Sequence, residues 1–157
     1  MTMPYQPAAR GTQPGEPVGP IKAIGNYFRK GFQFSGRASR SEYWWIALYS
    51  FLFAGALEFA QAQNENWLEN TGVFGSALGI IVALVILVVG LLLTIFTIAL
   101  NVRRLHDCNL SGWLYLLILV PFLGSIALLI MAALPPDPRG VRFDAQPAPG
   151  TVMPAGR

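Results

Sequence analysis

From Val73 to Leu100 the chain carries no charged side chain, and from Trp113 to Leu134 it carries none again. An uninterrupted run of roughly 18 or more apolar residues is solvated by lipid, not water, and reads as a membrane helix. Charged residues make up only 12% of the chain, about half the share of a soluble domain. A soluble chain of this size could not wet its surface with so few. The expected fold class is therefore an all-α integral membrane protein with three predicted transmembrane helices, at about 41–62, 73–100 and 113–134.

Each span carries its own signals. Before the first, Ser39 and Glu42 have the spacing of a capping box, which satisfies orphan amides at a helix start. Tyr43, Trp44 and Trp45 follow, the amphipathic rings expected at a headgroup boundary. Glu58 falls near the span's far end, where a carboxylate reaches the interface. The second span would be about 42 Å long at the helical rise, more than a hydrocarbon core of about 30 Å, so it must tilt or protrude. Gly75, Gly79 and Ala83 put small residues four apart along it, a helix-packing stripe that lets another backbone approach. The third span contains Pro121 and Gly124. Proline removes a helical hydrogen bond and kinks the axis. The segment is either one kinked crossing or a re-entrant pair of half-length helices. Three crossings are the favoured expectation, because half-helices leave backbone polar groups to satisfy in lipid.

Outside the spans, residues 1–19 and 144–157 are rich in Pro, Gly and Ala or Gln and read as disordered tails. The membrane domain is expected over 20–143. It begins with a short amphipathic interfacial helix at 20–32, where Ile21, Ile24, Tyr27, Phe28 and Phe32 recur at helical spacing among Lys22, Arg29 and Lys30. The opening residues have no apolar core, so they do not read as a secretory signal, and the spans are expected to drive insertion. The connector after the first span carries Glu65 and Glu69 and no base. Basic residues gather instead before the first span (Lys22, Arg29, Lys30, Arg37, Arg40) and after the second (Arg103, Arg104). The positive-inside rule then places the N-terminus and the loop expected at Arg103–Asp107 in the cytoplasm. Three crossings would leave Arg139 and Arg142 outside, against that rule; a re-entrant third segment would return them.

FSGRASRSEYWW at 34–45, RRLHDCNLSGWLYLLILVPFLG at 103–124 and the Gly-x-Arg-Phe at 140–143 resemble the motifs of domain-of-unknown-function family 805, in their order. These are small proteins of the bacterial cytoplasmic (inner) membrane. The likeness covers roughly 24–143. Cys108 and Asn109 stand where Thr and a small or basic residue are usual, and Val141 and Asp144 depart from an Asn-Arg-Phe-Gly ending. The resemblance implies a multi-pass fold and a location, and no established activity.

The polar cluster therefore has to be read from its chemistry. Arg37, Arg40, Arg103, Arg104 and His106 form a candidate anion site, guanidinium forks binding lipid phosphate bidentately at headgroup level. Ser39, Glu42 and Asp107 are the expected structural partners, with the two carboxylates pairing with arginines to hold helix ends together. Anionic phospholipid, a partner membrane protein or a second copy of the chain are the expected partners. His106 beside Asp107 invites an acid–base reading, but no convincing nucleophile or oxyanion device accompanies it. One His and one Cys make no zinc site of the usual kind. A non-enzymatic module without metal or cofactor is the expectation, and a small oligomeric transporter or channel component is the alternative. Nucleic acid is excluded as a partner, since no soluble domain remains to present the arginines.

Overall fold

The computed structural model of the chain describes residues 15–63 and 76–144. It is helical throughout, with no strand among the described residues. Four α-helices run in order: α1 (Pro20–Arg29), α2 (Arg40–Gln63), α3 (Ala77–Asp107) and α4 (Leu123–Ala133). Two 3₁₀ segments, Gly112–Leu119 and Pro138–Phe143, precede and follow α4.

Helices α2 and α3 are long and apolar enough to cross a membrane. They are not core helices of a soluble protein. Only 6% of the most apolar stretch of α2 is buried, and none of that of α3. Every side chain of α2 from Ser50 to Gln63, and of α3 from Ile80 to Thr94, is exposed within this chain. Water would not tolerate so much bare apolar surface.

Packing is confined to the opposite ends of the same two helices, where the start of α2 lies beside the finish of α3. There Val18, Ala23, Tyr27, Ala38, Ile46 and Leu100 form the core, with Tyr43, Trp45, Tyr49 and Phe96 against it. Val18 lies inside the stretch expected as tail, yet it is buried, and its N–H donates to Ser41 Oγ at 2.8 Å. Helix α1 begins at Pro20 as expected and ends at Arg29, short of the predicted 32. It buries Ala23, Asn26 and Tyr27 and leaves Ile21 and Phe28 exposed; Phe32, past its end, is exposed as well. Tyr27 Oη donates to the Leu93 carbonyl at 2.9 Å, anchoring α1 to α3.

Two features of the sequence reading change here. Arg103–Asp107 is not a loop: it is the last turn and more of α3, which therefore runs past the predicted end at Leu100. The helix stops with Asn109 at φ 58°, the left-handed conformation that Asn tolerates and that closes a Schellman motif. Leu110 N–H donates to the Leu105 carbonyl, and Asn109 N–H to that of His106.

The third apolar run is not one kinked helix but a hairpin. Its first limb is the 3₁₀ segment Gly112–Leu119, its second is α4, and the chain reverses at Pro121–Phe122. Leu123 N–H donates to the Pro121 carbonyl across Phe122, which sits at φ 59°, ψ −60°. That is the rarer, strained γ-turn. The limbs touch so closely that a Cβ on Gly124 would lie 1.6 Å from the Leu117 carbonyl oxygen. Both ends of the hairpin return to the finish of α3: Gly112 abuts Val102 and His106, and the Asp137 N–H donates to the Asp107 carbonyl at 2.8 Å. Of the packing stripe, Gly75 lies outside the described residues, Gly79 is half-buried and Ala83 is exposed. The acidic connector and both outer tails also lie outside, apart from residues 15–19 and Asp144.

Candidate functional site

The capping box forms by half. Ser39 Oγ accepts from the Glu42 N–H at 3.2 Å, but the Glu42 carboxylate does not turn back. Its Oε1 accepts from Arg103 Nη1 at 3.2 Å and its Oε2 from Asn26 Nδ2 at 3.3 Å. One carboxylate thus joins α1, α2 and α3. Arg103 is fully buried, and its Nε and Nη2 have no hydrogen-bond partner among the described residues. A charge so placed is held by Glu42 or it is not held at all.

Arg104, one residue on, faces the hairpin. Nη1 donates to Asp107 Oδ2 at 2.5 Å, Nε to the Ala132 carbonyl at 2.9 Å, and Nη2 to the Leu134 carbonyl. The last two acceptors lie at the end of α4, where helix carbonyls lack intrahelical donors. Arg104 therefore caps α4 and ties it to α3. A third pair closes the other side: Arg37 Nε and Nη2 donate to the two Asp144 oxygens at 3.1 and 3.0 Å. The bidentate fork brings together residues 107 positions apart.

His106 is held from two directions. Its Nδ1–H donates to the Gly36 carbonyl at 3.3 Å, and its ring stacks on Phe143 with centroids 4.1 Å apart. Gly36 in turn donates to the Phe143 carbonyl at 2.9 Å and sits at φ 85°, where a side chain would be strained. Arg142 lies with its guanidinium 4.6 Å over the Phe143 ring and donates to the Asn109 carbonyl at 3.1 Å.

The structure thus brings Arg37, Ser39, Glu42, Arg103, Arg104, His106 and Asp107 to one end of the molecule, as a clamp of three buried ion pairs. Arg40 lies there too, but exposed. Arg142 and the exposed Arg139–Asp137 pair are at the same end. Sequence reasoning missed Asn26 and Asp144, and had Phe143 only as the end of the Gly-x-Arg-Phe motif. Asn26 sat among helix residues with no signal of its own, and Asp144 was read as tail.

Two groups flanking the helices show what burial does here. The Cys108 thiol is pushed above its usual range by burial, with Arg104 opposing, and its S–H points at the Met131 carbonyl. Burial likewise lowers the Lys30 ammonium, against the pull of Glu42. A buried, protonated thiol is a poor nucleophile. Beside the clamp, between α3 and the first hairpin limb, lies a groove of about 580 Å³, with Ile98, Val102 and His106 on one wall and Trp113 and Leu116 on the other.

Bare apolar helices above a sealed polar end define a helical transmembrane protein. The chain belongs to the family described as Protein of unknown function (DUF805), whose pattern matches residues 31–145. It is 30% identical over 127 residues to Inner membrane protein YhaH of Escherichia coli K12, covering 81% of this chain and 93% of that one. It is 34% identical over 97 residues to Inner membrane protein YhaI of the same strain, covering 62% and 70%. No solved structure matches the chain.

Proposed function

We propose that the chain is a non-enzymatic membrane module. It crosses the inner membrane twice, keeps the clamp and both termini on the cytoplasmic side, and binds anionic phospholipid with the exposed bases around the clamp. The observation that carries this reading is the sorting of bases by burial. Arg37, Arg103 and Arg104 are buried against carboxylates, so headgroup contact falls to Lys22, Arg29, Arg40 and Arg142, all exposed. Each base near an anionic surface contributes about 1 kcal/mol.

The hairpin supports two crossings. Its limbs, eight residues of 3₁₀ helix and eleven of α-helix, each rise about 16 Å, half of a 30 Å core. With the hairpin re-entrant, Arg139 and Arg142 join the other bases on one side, and the positive-inside rule has no exception left. At the hairpin's tip the Pro121, Val120 and Phe122 carbonyls accept from the Leu123, Gly124 and Ile126 N–H groups, which answers the objection to half-helices in lipid. The non-enzymatic part rests on His106, whose ring is occupied by Gly36 and Phe143, and on the protonated Cys108.

The test is lipid enrichment around the purified, folded chain in mixed phosphatidylglycerol and phosphatidylcholine. Wild type is expected to enrich phosphatidylglycerol, and Arg40→Ala with Arg142→Ala to lose most of that, about fivefold per arginine. Unchanged enrichment in the double variant ends the reading.

A further inference from the structure

The groove beside the clamp is built with a direction. Ile98, Val102 and His106 are spaced four apart on one stripe of α3, so that wall runs about 12 Å along the axis. His106 and Ser111 stand at the end nearest the clamp, while Ile98 and Leu116 lie where the apolar part of α3 begins. Trp113 is 80% exposed at the groove's edge, an indole placed as interfacial ones are. Phe143 lines the same groove and carries the Arg142 guanidinium on its face. Only Nη2 of Arg142 is engaged, with the Asn109 carbonyl, among the described residues. Arg142 is thereby held at a carbonyl two residues before Ser111 and on the face of Phe143, both of which line the groove. The volume is that of a ligand pocket.

We propose that this groove holds one acyl chain of a single anionic membrane phospholipid, with the headgroup phosphate at Arg142 and Ser111. The match is one of layout: donors and positive charge at headgroup level, then an apolar trough running toward the bilayer centre. Arg37, Arg103 and Arg104 are ion-paired at the clamp, whereas Arg142 is an exposed base seated on Phe143, a residue of the groove. The inference rests on the headgroup reading above and adds a discrete, saturable site to it.

The test is native mass spectrometry of the delipidated full chain in nonionic detergent, titrated separately with phosphatidylglycerol and phosphatidylethanolamine. A first phosphatidylglycerol should bind well ahead of any further lipid. Leu116→Trp adds bulk to a half-exposed side chain in the groove, and should weaken that first step by about tenfold or more. Ile98→Ala, which cannot overfill the groove, should weaken it several-fold. Arg142→Gln should cut the preference for phosphatidylglycerol about fivefold. Leu87→Trp, on the bare part of α3, should change none of these. If no first lipid stands out, or if both groove variants leave it unchanged, the groove proposal is lost while enrichment through Arg40 and Arg142 survives. If the first lipid binds with no headgroup preference, the groove proposal is lost, and the headgroup reading is decided by the enrichment test of Arg40→Ala with Arg142→Ala. If Leu116→Trp alters the oligomeric mass and not the lipid content, the groove is a contact between copies and the proposal is lost.

Discussion

Arg104 uses its side chain on three acceptors at once: Asp107, the Ala132 carbonyl and the Leu134 carbonyl. Arg103 uses its own on one carboxylate. The difference sets what each substitution does. Removing one partner of a buried pair leaves the other uncompensated, at a cost of about 3–5 kcal/mol. Glu42→Gln is therefore expected to lower the melting temperature sharply, and Glu42→Gln with Arg103→Met to recover a good part of the loss. A double variant no better than the single one would mean that Glu42 acts through Asn26 instead. Cys108 offers a second reading at this scale. Because burial raises its pKa, folded-state alkylation should be slow near neutrality and climb only above the ordinary thiol range of about 8.5. The sign for stability follows: the contribution is full below the ordinary value and is lost as pH rises through the raised one. An alkylation profile matching that of a free thiol would contradict the burial.

At the level of elements, the hairpin depends on one close approach and one strained residue. Gly124→Ala would drive a methyl group into the Leu117 carbonyl and should cost about 1–3 kcal/mol. Gly90→Ala, in the open on α3 with nothing within 4 Å, should be neutral or stabilise by about 0.5–1 kcal/mol. Phe122→Gly should be tolerated, since glycine relieves the positive φ. Thermal melts of the three separate them, and equal effects at Gly124 and Gly90 would mean the limbs are not in contact. Much of this layer was legible in the sequence. The Ser39–Glu42 spacing placed the start of α2 to within a residue or two, and Pro121 announced a break. What was not legible was direction. Proline says that a helix bends, but the return of α4 is fixed by Arg104 reaching the Ala132 carbonyl, 28 residues away. The sequence reads Arg103–Asp107 as a loop because the apolar run ends at Leu100. Its arginines remain helical because Glu42, 61 positions earlier in the chain, and Asp107 neutralise them.

For the whole molecule, the asymmetry is between a packed end and a bare one. The Gly79 and Ala83 stripe lies near the bare end, where Ala83 is exposed among the described residues. Two crossings require both termini on one side. In a Cys108→Ser background, thiols introduced by Ala8→Cys and Ala155→Cys should react with an impermeant maleimide from the cytoplasmic face alone. Labelling of the second from the outer face would restore three crossings.

The Arg37–Asp144 fork also imposes an order on biogenesis. Asp144 leaves the ribosome 107 residues after Arg37, about 5–20 s later at ordinary elongation rates. Helices α2 and α3 are made within that interval, and α3 is complete at Asp107, while the last pair of the clamp still waits for Asp144. The last pair of the clamp can therefore close only after both long helices have been made.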